Sequence, residues 1–457
     1  MDTAAPVDTA AARRTELVRL RLSPGVVRGV VDRTRTTALF EQHARRAPYA
    51  GLLKAAGRTE LVVSDPGLAR EVLVTQGRSF GKGYALRQTR FLLGDGLLTA
   101  DRELHRRQRP VVQPAFSRTR IASYAQDMVA AAQEHMAAWR PGQVVDMAAE
   151  MQRLTLAAVG TTLLGTRTGA QAASRVGPAL ATALRAWEVA LLPGMAWVRE
   201  SRLPGAVRTR AAIAELDDLV RTVVGDARRR GGGDDVVSAL LGSQADPTAA
   251  DDTQVRDEVM TLLLAGHETT ANALTWTLHL LSDAPHVAAR LRRSLDALGR
   301  TPAYEDLPAL PYAYAVVAEA MRLYPPAWIL EREALEDVEV GGIRVPRGGS
   351  VVMCTWVLHR DPRSWVAPLA FRPERWLDEQ GAFDEAAPGQ PRGAWQPFGG
   401  GTRRCIGESF AWTEAVLLLC VLLGAYAPVR EPDQRVATRA AVTLRPAYGM
   451  RMRLLPV

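Results

Sequence analysis

Ten residues near the C-terminus, Phe398 to Gly407, constrain the chain more than any other stretch; they read FGGGTRRCIG. Gly399, Gly400 and Gly401 open backbone conformations closed to other residues and let a large flat ligand approach closely. The stretch from Glu408 through Leu423 is long and apolar, and reads as a buried helix stopped by Gly424 and Pro428. Cys405 sits just ahead of that helix. There the positive end of the helix dipole favours thiolate over thiol, and Arg403 and Arg404 add charge in the same sense. The other cysteines, Cys354 and Cys420, supply neither a C-x-x-C pair nor a disulfide framework. A buried structural cysteine in a glycine-rich turn is one reading of the loop. An unpartnered thiolate that ligates iron is the other, and thiolate-ligated haem is an established use.

Two further stretches carry chemistry. A helix from about Asp252 to Leu281, with Asp251 and Asp252 as caps and Pro285 as the stop, is long for a globular protein. Its apolar middle holds Ala265, Gly266, His267, Glu268, Thr269 and Thr270. A mid-helix glycine costs about 1 kcal/mol against alanine, and threonine can bond back to a carbonyl one turn earlier, so together they are expected to bend or open the helix. Glu268 in so apolar a segment must be paired, hydrated or protonated. Further on, Glu319 and Arg322 in AEAMRLYPP lie three apart on one helix face, and Arg375 follows in FRPERW.

Phe398, Gly401, Arg403, Cys405 and Gly407 match F-x-x-G-x-R-x-C-x-G, and on these positions the chain resembles the cytochrome P450 family of haem-thiolate monooxygenases. The resemblance extends in order from about His105 to Cys405. It implies a haem b cofactor with Cys405 as axial ligand and Phe398 flanking it. In the A/G-G-x-D/E-T pattern it implies that Thr269 handles dioxygen and water while Glu268 feeds protons, with His267 turned away from the site. Glu319, Arg322 and Arg375 would form a buried network beneath the haem, with Trp376 in place of the usual Phe. The haem propionates would be met by His105 and Arg109, four apart on one helix face, and by Arg332 and Arg403, since arginine offers carboxylates a planar fork of donors.

Composition removes competing classes. Hydrophobic residues at 47% and charged ones at 23% are globular values. The net charge of +8 comes from arginines spread throughout (Lys54 and Lys82 are the only lysines), with no basic stripe interleaved with aromatics, so no nucleic-acid partner is expected. The N-terminal MDTAAPVDTAAARRTELVRLRL has no signal-length apolar run, and the apolar Ala415–Leu423 stretch is too short to span. A cytoplasmic monomer without a membrane partner is expected, its first dozen residues loose.

Helix periodicity appears near Ala38–Arg46, Pro66–Gln76, Glu103–Val112, Arg118–Ala138, Met147–Leu164 and Val176–Leu192, with strand signals at Glu60–Ser64 and Val338–Val352. Arg228–Asp235 reads as a polar loop. The fold expected is mainly α with a smaller β region (α+β), one catalytic domain over residues 1–457.

What the resemblance implies for function is insertion of one oxygen atom from O2 into a C–H bond of a hydrophobic small molecule, in secondary and possibly terpenoid metabolism. No G-x-G-x-x-G unit or flavin domain is present, so a ferredoxin with its reductase is the expected electron donor, docking on Arg106, Arg107 and Arg404. Candidate pocket walls are the loop Tyr84–Leu98, the segment Trp187–Trp197 (with Leu191, Leu192 and Met195), and Leu264, Ala265, Trp328, Ile329, Leu330 and Val442, nearly all apolar. A haem-thiolate peroxygenase or isomerase, or a non-catalytic haem sensor, are the alternatives. The acid–alcohol pair Glu268–Thr269 disfavours both.

Overall fold

The computed structural model describes residues 19–20, 33–55, 58–165, 169–190, 196–233, 235–242, 252–386, 389 and 392–457. The helices of seven residues or more are α1 Thr36–Arg46, α2 Arg102–Val112, α3 Arg118–Met136, α4 Met147–Thr162, α5 Gly169–Ala190, α6 Pro204–Arg230, α7 Val236–Gly242, α8 Asp252–Asp283, α9 Pro285–Asp296, α10 Pro311–Leu323 and α11 Glu408–Ala425. The strands are β1 Arg19–Leu20, β2 Ala50–Ala55, β3 Arg58–Val63, β4 Phe80–Lys82, β5 Val144–Asp146, β6 Leu330–Ala334, β7 Val338–Val340, β8 Ile343–Val345, β9 Ser350–Met353, β10 Tyr426–Arg430, β11 Thr438–Ala440, β12 Leu444–Pro446 and β13 Arg451–Pro456. A mixed sheet runs β1-β2-β3-β9-β6-β4, a smaller one β10-β13-β5, and β7-β8 and β11-β12 are separate hairpins. In the mixed sheet β4 pairs antiparallel with β6 and sets Lys82 opposite Arg332.

Helices dominate, with sheets at their margin, as expected from the α+β reading. The largest core joins α3, α4, α8, α10 and α11, centred on fully buried residues such as Met151, Leu154, Trp276, Val316 and Leu417. α11 is apolar all round, which places it inside the protein. By length and composition it could cross a membrane, but two thirds of it is buried against this core.

Several local expectations are corrected. α8 runs unbroken through the AGHETT stretch. Gly266 does not interrupt it; a Cβ there would stand 3.0 Å from Val159 Cγ2, so the glycine lets α4 pack close. Threonine back-bonding is present, from Thr269 to Ala265 O at 2.7 Å. Asp252 lies inside α8 and pairs with Arg228 rather than capping; Asp251 lies outside the described residues. Gly424 is within α11, whose end comes at Ala425 where β10 begins. Arg228 to Arg230 complete α6, a 27-residue helix that the sequence reading missed, and the loop starts at Gly231 in the left-handed conformation. The N-terminal dozen, expected to be loose, lie outside the described residues.

Candidate active site

The cysteine loop is fixed from both sides. Cys405 N donates to Phe398 O at 2.9 Å, and the Phe398 ring packs against Trp412 of α11 at 5.8 Å. Gly401 has φ +65°, and a Cβ there would meet Leu73 O at 2.1 Å. Close approach of the backbone at Leu73 and Val74 demands this glycine. Cys354 and Cys420 are buried thiols, each pushed up to about 12 by burial, and neither is available for ligation. Cys405 alone of the three is exposed. Its thiol is nevertheless pushed up to about 11, first by desolvation from the protein packed around it.

That shift corrects the expectation of a thiolate favoured by its surroundings alone. The positive charges invoked for it are taken up elsewhere: Arg404 pairs with Glu408 at the start of α11, and Arg403 Nη2 binds Asp101 Oδ1 at 2.8 Å. A coordinated metal ion, unlike these arginines, would deprotonate the thiol outright.

Beside the loop lies a buried cluster of cations. His105 and Arg109 come from α2, Arg332 from β6, Arg403 from the cysteine loop, and Lys82 from β4. Lys82, His105 and Arg332 are all buried. Burial, then the neighbouring Arg332 and Arg403, pushes Lys82 well below the usual lysine range. His105 is lowered to about 4 by burial and then by Lys82, Arg403 and Arg109. Arg332 is lowered to about 10 by burial and then by Arg403. The acids nearby are already engaged. Asp101 takes Arg403 and the Lys82 amide, and Glu331 takes the amides of Tyr84 and Ala85 and the Ser350 hydroxyl. Basic groups in the cluster thus outnumber its acids, and it is suited to receive carboxylates. An accessible sulfur beside such a cluster fits a haem with its two propionates. Arg109 Nη1 donates to Arg404 O at 2.8 Å and so fastens α2 to the cysteine loop.

On α8, Ala265 and Thr269 lie on the partly open face, one turn apart, whereas Leu264 is buried. His267 points away: its Nδ1 meets Leu263 O at 2.9 Å, and the Thr155 hydroxyl donates to its carbonyl. Glu268 is buried and tied to the β11–β12 hairpin. Its Oε1 accepts from Thr443 Oγ1 at 2.6 Å and lies 3.9 Å from Arg445 Nη1, while Oε2 has no partner. It lines a cavity of about 410 Å³ together with Gln152, Arg153, Leu184, His267 and Arg445.

Beneath the cysteine helix, Glu319 and Arg322 are fully buried and joined by two bonds of 2.8 Å. Glu319 also accepts from Arg375 Nε at 3.0 Å, the Arg372 amide at 3.0 Å and Trp376 Nε1 at 2.9 Å. Trp376, read from sequence as a neutral exchange for Phe, thus supplies a hydrogen bond that Phe lacks. Glu414 of α11 is fully buried near Thr270; burial pushes it up to about 8, moderated by that hydroxyl, and both its oxygens lack a complete hydrogen bond.

The expected pocket walls divide. Leu264 and Val442 belong to one apolar cluster with Leu92 and Leu93 from the Tyr84–Leu98 stretch. Ile329 and Leu330 are half-buried at the edges of two others. Trp328 is a core residue, its indole donating to Ala441 O at 2.9 Å. Trp187 is buried with Nε1 on Ala85 O, Trp197 is 61% exposed to solvent, and Leu191, Leu192 and Met195 lie outside the described residues. On the docking face expected from the sequence, Arg106 and Arg404 are ion-paired with Glu103 and Glu408, whereas the exposed Arg107 pairs with no acid among the described residues. Sequence reasoning passed over Lys82, Asp101, Thr443, Arg445, Glu188 and Glu414. For Lys82 a signal existed, since it is one of only two lysines in an arginine-dominated chain.

A family profile described as Cytochrome P450 matches residues 51–443. The chain is 37% identical over 403 residues to cyclooctatin synthase from Streptomyces melanosporofaciens, covering 86% of this chain and 85% of that one. It is 36% identical over 395 residues to pentalenene oxygenase from Streptomyces avermitilis, covering 85% and 86%. Its fold superposes on the crystal structure of the cytochrome P450DA heme domain with a TM-score of 0.84 at 28% identity, over 96% of this chain and 98% of that chain.

Proposed function

The chain belongs to the cytochrome P450 family of haem-dependent monooxygenases, and from that premise we propose that it inserts one oxygen atom of O2 into a C–H bond of an apolar, terpenoid-class small molecule in secondary metabolism. The observation that carries this reading is the accessible Cys405 sulfur set beside a buried cluster of basic groups. The haem, when bound, supplies the iron chemistry that activates O2, and thiolate donation favours O–O cleavage.

The chain's own residues do the rest. Cys405 Sγ would hold the iron, with Phe398 fixing the loop behind it. His105, Arg109, Arg332 and Arg403, joined by Lys82, would receive the propionates, and Arg109 also keeps α2 against the loop. Glu268, its Oε2 without a hydrogen-bond partner, passes protons to the site from the adjoining 410 Å³ cavity. Thr269 presents its Oγ1 on the open face of α8 and hands protons to the site. Leu264, Ala265 and Val442 form an apolar wall that orients a greasy substrate and excludes water. The Glu319–Arg322–Arg375 network fixes the floor from which the cysteine loop rises.

The terpenoid class is favoured by that apolar wall and by relatives named for cyclooctatin and pentalenene. Electrons are taken to come from a ferredoxin and its reductase, in the cytoplasm, by a monomeric enzyme. A spectral-shift screen of holoenzyme against cyclic terpenes, fatty acids and steroids tests the class, with saturable shifts expected for the terpenes. Turnover with a surrogate ferredoxin and NADPH tests the machinery: Thr269→Ala is expected to consume NADPH while forming little product, and equally coupled turnover would refute the role of Thr269.

A further inference from the structure

Behind α8, on the side of α4 and α5, lies the cavity of about 410 Å³ that Glu268 lines. Its described lining residues include none of Leu264, Ala265, Thr269 and Val442, so α8 itself divides it from the face proposed to meet the haem. Leu156 of α4 and Leu180 and Leu184 of α5, all buried, give it apolar walls. Exposed Pro178 and Arg153 stand at its rim. Volume and lining are those of a small-molecule site, mostly apolar with a few placed polar groups.

The polar end narrows the ligand. Arg445 Nη1 stops 3.9 Å from Glu268 Oε1, beyond hydrogen-bond reach, while Nη2 of the same guanidinium is bonded to Glu188 at 3.3 Å. A gap of this size calls for a bridging atom. An oxygen about 2.8 Å from each end spans it. A carboxylate there would face Glu268, and the cations able to hold it are engaged, Arg153 with Glu150 and Arg445 with Glu188. An ammonium would face Arg445, and a hydrocarbon would leave both groups unmet. A hydroxyl accepts from the one and donates to the other. Water does so too, but makes no use of the leucine walls.

We propose that this cavity is a second ligand site, separate from the haem pocket, for an apolar alcohol whose hydroxyl bridges Arg445 and Glu268 and whose body lies against Leu156, Leu180 and Leu184. Hydroxylation of a terpenoid yields the same chemical class, so the enzyme's own product and an unrelated straight-chain alcohol are two sources of one chemistry. An occupant closes the cavity from which Glu268 passes protons, and so slows turnover without competing for the haem pocket. That consequence, unlike binding itself, rests on the reading of Glu268 as the proton-feeding acid.

Calorimetric titration of the holoenzyme tests the site, with the haem pocket closed by an azole that coordinates the iron. The probes are cedrol, dodecan-1-ol and the hydrocarbon cedrane. One equivalent of cedrol should bind about tenfold or more tighter than cedrane, with the azole's Soret band unmoved. Dodecan-1-ol binding as well as cedrol identifies alcohols at large; cedrol alone identifies a product-like ligand. Gly177 lines the cavity on α5, and a Cβ there meets no atom within 4 Å, so Gly177→Leu fills the space without displacing a neighbour. Ala181→Phe fills it from one turn further along the same helix. Both should abolish cedrol binding while the azole still binds, and Arg445→Met should erase the preference for cedrol over cedrane. Absence of binding, displacement of the azole, binding that survives both fillings, or a preference that Arg445→Met keeps overturns the proposal. If cedrol binds while coupled turnover at saturating substrate is unchanged, the site stands and the proton-feeding role of Glu268 is what fails.

Discussion

Removing Glu319 should be the most damaging single change outside the cysteine loop. Its carboxylate accepts five hydrogen bonds, two from Arg322 and one each from Arg375, Trp376 and the Arg372 amide. Arg322 has no exposure, and its remaining donors reach His359 O at 2.8 Å, Pro368 O at 2.7 Å and Ala370 O at 3.1 Å. In Glu319→Ala the guanidinium keeps those three carbonyls but loses its counter-charge, with Arg375 still facing the gap. Breaking one side of a buried ion pair costs about 3–5 kcal/mol. At roughly 2.1 cal/mol/K of unfolding entropy per residue, 457 residues give about 1 kcal/mol/K, so the thermal midpoint should drop by about 3–5 °C. Replacing both partners, as Glu319→Leu with Arg322→Met, removes the orphaned charge and should recover much of that loss. The exposed pair Arg221–Asp218, with side chains 70% and 73% exposed, is the control; Asp218→Ala should cost less than about 1 kcal/mol. Circular dichroism and Soret absorbance followed together on the holoenzyme would separate loss of fold from loss of haem. The reasoning is refuted if Glu319→Ala melts with the surface control, or if the double replacement is no better than the single one.

Glu414, pushed up to about 8 by burial, binds its proton more tightly folded than unfolded, so it favours the folded state at low pH and that contribution fades as pH rises from about 4.5 to 8; denaturation midpoints across this window should show a slope that Glu414→Gln flattens. Lys82→Met and Arg332→Met should each slow haem uptake and speed its loss to an apo-globin acceptor, with little change in the far-ultraviolet spectrum; unchanged transfer rates would remove the cation cluster from cofactor binding. If an acidic ferredoxin docks on the cysteine side, raising ionic strength should slow first-electron transfer, and Arg107→Ala should weaken that dependence more than Arg106→Ala, whose charge is already paired with Glu103.

Motifs whose chemistry is local were legible in the chain itself. Cys405 and its glycines, the Glu319–Arg322 spacing and the apolar length of α8 all depend on neighbours a few residues away, and each stands where the spacing placed it. Functions that depend on distant pairings were not. Lys82 reaches the cation cluster only because β4 pairs with β6, and Arg445 meets Glu268 only because the β11–β12 hairpin folds back over α8. The environment of Cys405 was misjudged for the same reason: the helix dipole is a local feature, but Asp101 and Glu408, which neutralise the two arginines, are set by tertiary structure and by the first turn of α11. Trp328 is core and Trp197 exposed, a difference not legible in sequence, since an apolar residue near a motif can equally be either and periodicity does not separate them.

The central claim is that sulfur from position 405 binds the haem iron. Reduction of the purified holoenzyme with dithionite under carbon monoxide, for wild type and for Cys405→His, measures it directly. The account predicts the strongly red-shifted Soret band of thiolate ligation in the wild type and the shorter-wavelength band of imidazole ligation in the variant, with oxidative turnover lost. Identical bands in the two proteins, with turnover intact, would contradict it.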